Sequence, residues 1–271
     1  MPELPEVETT KRGIERALLG SRVLEALVRE RRLRWPIPKN FEASVRGQTV
    51  KRVERRAKYI LIGFPAGTLI LHLGMSGSLR LVKPGTAARP HDHWDLALDS
   101  GWVLRFHDPR RFGSLHFTAD DPAKHALLKK LAPEPLSPEF NGEYLFNATR
   151  KRAVAIKQLI MNSHIVVGVG NIYASEALFR ARISPRRAAR RITQAEADKL
   201  ARAIKAVLQA AIKIGGTTLR DYVNADGAPG YFRQKLFVYE RAKQACRVCK
   251  SPVKQFTQGQ RSTYWCSTCQ R

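Results

Sequence analysis

Acidic residues are the scarce class in this chain: 23 Asp and Glu stand against 48 Lys and Arg over 271 residues, a net charge of +25. A membrane surface would also attract such a charge. No amphipathic anchor accompanies it, so nucleic acid is the expected partner. Cysteine is rarer still, four in all, and the first of them is Cys246. Long hydrophobic runs are missing too, which excludes a spanning helix. The opening stretch holds Pro2, Glu3, Pro5, Glu6 and Glu8 where a secretion signal needs an apolar core. A cytoplasmic location is therefore expected. There is no internal repeat and no low-complexity tract.

Hydrophobic residues make up 44% of the chain, enough for a real core in two domains plus a small appendage. The charge is uneven: residues 1–149 carry a net +7, residues 150–271 a net +18. Val7, Ile14 and Leu18 have helical spacing and stop at Gly20, predicting a helix over 7–19. From Val23 to Phe117 alternation takes over. Leu69, Leu71 and Leu73 face one way, with Ile70 and His72 opposite. Trp94–Leu98 and Trp102–Phe106 read as a hairpin around Asp99-Ser100-Gly101. Strands with this punctuation predict a β-sandwich or barrel-like domain. Pro133, Pro135 and Pro138 mark a hinge. Beyond it, Thr193-Gln194-Ala195-Glu196 has capping-box spacing. It opens a helix with a stripe of Leu200, Ile204, Val207, Leu208 and Ala211, closed by Gly215-Gly216.

Cys246-x2-Cys249 and Cys266-x2-Cys269, 16 residues apart, match a tetrahedral four-cysteine zinc site at the ends of a β-hairpin, with disulfides as the alternative. Four thiolates close the site, so the metal would be structural. Between the pairs lies a finger tip carrying Arg261, which could contact phosphate, face solvent or take part in chemistry. At the other end, a small Pro2 lets the cell trim Met1. That exposes a secondary α-amine beside the carboxylate of Glu3. An α-amine titrates near about 8, against about 10.4 for lysine, so more of it is nucleophilic at neutral pH. Its adduct with a sugar C1′ is an iminium with no N–H to lose, which stays cationic. Gly168 and Gly170 before Asn171 could admit a phosphate at a helix N-terminus or form a plain helix–helix turn. The Met75 loop (Leu73–Gly77) and the Asp108–Gly113 loop carry residues that serve either as rim packing or as wedges in a base stack.

Taken in order, these motifs resemble the formamidopyrimidine-DNA glycosylase family along the whole chain. The resemblance rests on Met1–Thr9, Arg56-Ala57-Lys58-Tyr59, the Met75 loop, His91-Asp92-His93, Asp108–Gly113, Gly168–Glu176 and the finger ending at Cys269. It implies an α+β multidomain fold: an N-terminal helix with a β-sandwich catalytic domain over 1–131 and a Pro-rich hinge over 132–144. A helix–two-turns–helix DNA-binding domain with a lesion loop follows over 145–235, then a zinc finger over 236–271. The sister family, endonuclease VIII, shares Pro2-Glu3 but prefers oxidised pyrimidines. Leu4 and the paired Met75 and Arg110/Phe112 loops side with the purine enzyme.

By that resemblance the chain is a monomeric glycosylase and abasic-site lyase of base excision repair. It would act on oxidised purines in double-stranded DNA, in association with the nucleoid. It would hold one structural Zn2+ and use no nucleotide cofactor and no membrane. Pro2 would attack C1′, Glu3 would act in sugar-ring opening, Lys58 in β-elimination and Arg261 in δ-elimination. Met75, Arg110 and Phe112 would fill the space of the flipped base. His91, Arg110, Arg152 and Asn171 match backbone-contact positions. Glu6, Arg220 and Tyr222 match the base pocket and the loop over it, and Glu176 a buried support for the N-terminus. The active site is expected in the cleft near the hinge. A non-catalytic damaged-DNA-binding protein is the rival from another class; it would form no covalent intermediate.

Overall fold

The structure, a computed structural model, describes residues 2–216 and 236–271. The chain divides into two compact units, residues 2–129 with 214–216 and Lys130–Lys213 with 236–271.

The first unit opens with helix α1 (Leu4–Leu18). It begins three residues before the apolar spacing alone predicts, because Glu3 and Glu6 form a capping box and Pro5 sits in the first turn. The chain leaves the helix at Gly20 with φ +81°. Strand β1 (Val23–Val28) and a short helix α2 (Phe41–Val45) follow. The remaining strands are β2 (Arg52–Arg56), β3 (Tyr59–Phe64), β4 (Gly67–His72), β5 (Ser78–Val82), β6 (Asp92–Leu98), β7 (Val103–His107) and β8 (Ser114–Thr118). They form two antiparallel sheets, ordered β1-β6-β7-β5 and β2-β3-β4-β8. β6 and β7 make the expected hairpin around Gly101.

The two sheets share one core. Ile60, Ile62, Leu69 and Leu71 of one meet Leu79, Trp94, Leu96 and Leu104 of the other, with Val7, Ile14 and Leu18 of α1 in the same cluster. The alternation along β4 does not separate core from solvent. Ile70, opposite Leu69 and Leu71, is also fully buried. On that face His116, its cross-strand partner, lies between the rings of Trp35 and His125.

A charge network crosses the sheet that contains β6 and β7. Arg105 grips Asp95 through two hydrogen bonds (2.9 and 2.8 Å), and Arg29 adds a third at 2.6 Å. Arg105 also donates to the carbonyls of Thr86 and Ala87, while Asp92 accepts from Arg80 and from the backbone N–H of Arg89. The network thereby anchors the loop that leads to His91. Burial pushes the Asp95 carboxyl up, but the two guanidinium groups more than offset this and leave it below the ordinary carboxylate range. Asp95→Asn leaves Arg105 its two carbonyls and Asp92 at 3.6 Å but removes the charge it grips, so it is expected to cost about 1.5–3 kcal/mol, read as a lower urea midpoint with an unchanged slope. The stabilisation from Asp95 is complete above its unfolded pKa and disappears as pH falls through its lowered folded value. The variant's stability should accordingly fall less steeply than the parent's below about pH 4.

The second unit is helical: α3 (Gly142–Thr149), α4 (Ile156–Ile160), α5 (Asn171–Ala181) and α6 (Gln194–Lys213). α3 starts inside the stretch read as the hinge, capped by Asn141, whose side chain accepts the N–H of Tyr144. Ala132 and Pro133 are bonded to Ser163 and Val167 of the same unit. Thr193 and Glu196 form the expected capping box ahead of α6. Leu200, Ile204, Val207, Leu208 and Ala211 are all buried along it. Strands β9 (Lys254–Gln258) and β10 (Arg261–Trp265) form the terminal hairpin.

Candidate functional site

In the first unit the chain's leading residues are inside the protein. Pro2 is buried and Glu3 is 3% exposed, an unusual burial for a carboxylate. The Glu6 carboxylate accepts the Glu3 N–H at 2.8 Å, so Glu6 serves as a helix cap. Gly216 packs over it: a Cβ there would come within 3.1 Å of Glu6 Oε1. Arg220 and Tyr222 lie outside the described residues.

Lys58 occupies the two-residue loop between β2 and β3, after Ala57 at φ +54°. That loop is tied to α1. Arg55 donates to Glu8 at 2.9 Å and to the carbonyl of Ala57 at 2.9 Å. Beside it, Nδ1 of His72 accepts the N–H of Gly74 at 3.0 Å. Burial, with Lys58 and Arg34 nearby, pushes His72 down to about 4. His72 is therefore a neutral acceptor at neutral pH, holding the entry to the Met75 loop.

The two loops proposed as a wedge are one assembly. Asp108, fully buried, accepts from Ser76 Oγ at 2.6 Å and from the N–H of Gly113 at 2.7 Å. Its carbonyl meets His93 Nε2 at 2.7 Å, and its own N–H donates to the carbonyl of His91 at 3.0 Å. Gly74, at φ +66°, lies so close to the Phe112–Gly113 peptide that any Cβ would collide with it. Met75, Arg110 and Phe112 are thereby brought together and remain exposed, with the Arg110 guanidinium 4.9 Å from the centre of the Phe112 ring. His91 is exposed as well, at φ +72°.

In the second unit Asn171 is the first residue of α5. Its Nδ2 donates to the carbonyl of Ser262 at 2.9 Å and its Oδ1 accepts from Lys157 at 2.5 Å. Lys157, almost fully buried, also donates to Thr263 Oγ1 at 2.7 Å. The turn, α4 and the finger hairpin are thus cross-braced, and the tip residue Gly259 lies against Gln158. This fixes the strand that starts at Arg261, which is itself exposed. Arg152 is exposed too. Glu176 is buried, and its carboxylate accepts the backbone N–H groups of Phe237, Val238 and Tyr239 at 2.9, 2.9 and 3.0 Å. The expectation made it a support for the N-terminus; its partners within its own unit are the residues leading into the finger. Burial raises its pKa against those three bonds.

Cys246, Cys249, Cys266 and Cys269 put their sulfurs within 4.8 Å of one another. Zn–S bonds of about 2.3 Å in a tetrahedron place sulfurs about 3.8 Å apart, so the donor set fits that ion. The backbone N–H of Val248 points at the Cys246 sulfur, as a thiolate favours.

Sequence reasoning missed Asp108 as an organiser, Ser76 as its partner and Lys157 as the brace. Asp108 had a signal in its position ahead of Pro109-Arg110-Arg111. Lys157 had none, being one cation among many.

Comparison with known proteins shows the family and the fold. Residues 1–115 match the model of the formamidopyrimidine-DNA glycosylase N-terminal domain, and residues 131–223 that of its H2TH domain. A formamidopyrimidine-DNA glycosylase of Thioalkalivibrio sulfidiphilus is 60% identical over all 271 residues, covering both chains completely. The crystal structure of the MutM (Fpg) protein of Thermus thermophilus superposes with a TM-score of 0.89 at 40% identity, over 99% of this chain and 98% of that one. Wild-type Lactococcus lactis Fpg, solved with DNA containing N7-benzyl-Fapy-dG, gives 0.92 at 29% identity with complete coverage of both. On the fold, both family models and full-length identity, the chain belongs to the formamidopyrimidine-DNA glycosylase family.

Proposed function

We infer that the chain excises oxidised purines from duplex DNA and then cuts the strand, with Pro2 as the nucleophile. The observation that carries this reading is the buried Pro2-Glu3 start of α1, locked by Glu6 and tied through Glu8 and Arg55 to the loop bearing Lys58. A flexible, solvated terminus would hold no amine against a sugar carbon.

The Pro2 nitrogen bonds to C1′ as the bond from C1′ to the base breaks; the base leaves with that electron pair and takes up the proton that the Pro2 nitrogen gives up. Glu3 delivers a proton to O4′ as the ring opens, leaving the cationic iminium. Loss of a C2′ proton then expels the 3′ phosphate, with Lys58 handling the proton. Loss of a C4′ proton expels the 5′-side phosphate from C5′. An arginine is a poor acid, so Arg261 assists that second cut by holding phosphate and stabilising charge. Water releases the sugar fragment from Pro2.

Met75, Arg110 and Phe112 fill the gap left by the flipped base, while His91, Arg152 and the Asn171 turn hold backbone phosphates. The Asn171 amide gives one of its two N–H groups to Ser262 and its Oδ1 to Lys157, so its second N–H is the donor offered to a phosphate oxygen. One Zn2+ on the four cysteines would be structural, fixing the base of the finger. We place the protein in the cytoplasm, acting on DNA as a monomer.

The test is to incubate the protein with a duplex carrying 8-oxoguanine opposite cytosine, add borohydride, and map the cross-link by mass spectrometry. A reduced adduct on the Pro2 nitrogen is expected. An adduct only with an oxidised-pyrimidine duplex would reassign the substrate, and binding without any adduct would leave a binding protein.

A further inference from the structure

We propose that Lys151, Arg190 and Arg191 form, with Arg152, a second phosphate-binding ridge that extends the grip on duplex DNA beyond the positions assigned above. The proposal rests on the reading of Arg152 as a backbone contact.

The ridge is built by two segments distant in sequence. Residues 150–156 run antiparallel to 187–192. Ile156 N–H donates to the Arg187 carbonyl at 2.8 Å, Ala189 N–H to Val154 at 2.9 Å and Arg190 N–H to Arg152 at 2.9 Å, with a bridge between Ala155 and Ala188. Arg150 closes the far end on the carbonyl of Ile192. This ribbon carries six cations, and they divide into two kinds. Arg150 stacks over Phe146, and Arg187 pairs with Glu196, so both are consumed by the structure. Lys151, Arg152, Arg190 and Arg191 are exposed, and none of them makes an ion pair among the described residues.

Like charges on paired strands repel, and for these four cations no carboxylate among the described residues offsets that repulsion. Lys151 in addition sits at φ +59°, a conformation that an L side chain adopts at a cost. Arg190 and Arg191 belong to the 3₁₀ turn Ala189–Arg191, which is pinned to Arg152 through the Arg190 N–H, so the backbone positions that carry the cations are held together. A polyanion with regularly spaced charges relieves this repulsion through several contacts at once, and a duplex backbone supplies such an array.

Binding to an undamaged duplex, followed by fluorescence anisotropy between about 50 and 200 mM salt, reports the number of phosphates engaged. Arg190→Ala with Arg191→Ala is expected to make the slope of log K against log salt shallower by about 2. Arg190→Lys with Arg191→Lys should restore it, since charge and not side-chain shape carries the contact. Hydroxyl-radical footprints should lose protection at one edge only. A parental slope in the double alanine variant, or no restoration by the lysines, would overturn the ridge. Arg152→Ala, measured alongside, separates the readings: if it lowers the slope while the alanine pair does not, the ridge fails and the Arg152 contact stands. If neither lowers it, both fail, while the borohydride adduct on Pro2 tests the chemistry independently.

Discussion

Retention of any residue ahead of Pro2 is expected to abolish base excision, strand cleavage and the borohydride-trapped adduct together, by on the order of 10⁴- to 10⁶-fold in single-turnover rate. The effect is large because it is electronic. Once acylated, the proline nitrogen shares its lone pair with a carbonyl and is no longer a nucleophile. Affinity for a duplex carrying a stable abasic analogue should survive far better, since phosphate contacts supply it. Glu3→Gln provides the complementary result. It keeps the amine and removes the proton donor, so excision of a damaged base is expected to fall by about 10²- to 10⁴-fold. Pre-formed abasic sites, whose sugar already opens to an aldehyde, should still be trapped. Parental excision by a blocked chain would show that some other group attacks C1′.

Chelation of the metal, or Cys246→Ser, is expected to unfold the terminal hairpin while leaving the sandwich intact. The finger's own apolar core is small: Val238, Val253, Cys246 and Cys266 pack with Phe179 of α5, with Phe237, Tyr264, Cys249 and Cys269 only partly buried around them. So few residues cannot offset the conformational entropy of ordering 236–271. In comparable zinc-finger peptides metal binding contributes about 10–16 kcal/mol of apparent free energy, which is folding free energy. Loss of the hairpin also takes Thr263 from Lys157 and Ser262 from Asn171, leaving their mutual bond, and frees Arg261 from its strand. Weaker DNA binding and loss of the second strand cut should follow, while the fluorescence of Trp265 reports the unfolding directly. A metal-free protein with a folded finger and parental affinity would exclude the four-cysteine site as its anchor.

Features encoded in local spacing were legible in the sequence. The capping box at Thr193 and Glu196, the β6–β7 hairpin and the paired Cys-x2-Cys knuckles each declare themselves within a few residues, because backbone geometry dictates the residue types. α1 starts three residues ahead of the expected Val7: Glu3 and Glu6 cap it, and Leu4, one helical step before Val7, already belongs to its buried stripe. Long-range pairings left no such trace. Asp108 reaches Ser76, and Lys157 reaches Thr263, across separations at which one sequence carries no signal. The burial of Ile70 left no local sign either: its cross-strand partner His116 packs against Trp35 and His125, which lie far from Ile70 in sequence.

The Asp108 crosslink has a kinetic consequence. Two separate mobile loops would each have to be ordered every time the protein interrogated a base pair, and that entropy would be lost anew at each step along the duplex. With Ser76 and Gly113 held on one buried carboxylate, Met75, Arg110 and Phe112 are ordered before DNA arrives. On the proposed reading of these three side chains as a wedge, the tool is assembled in advance and the barrier at each site is left to the DNA. A well-stacked pair then resists and a weakly stacked lesion yields, which turns the stiffness of a protein loop into a measurement of the strength of a base stack.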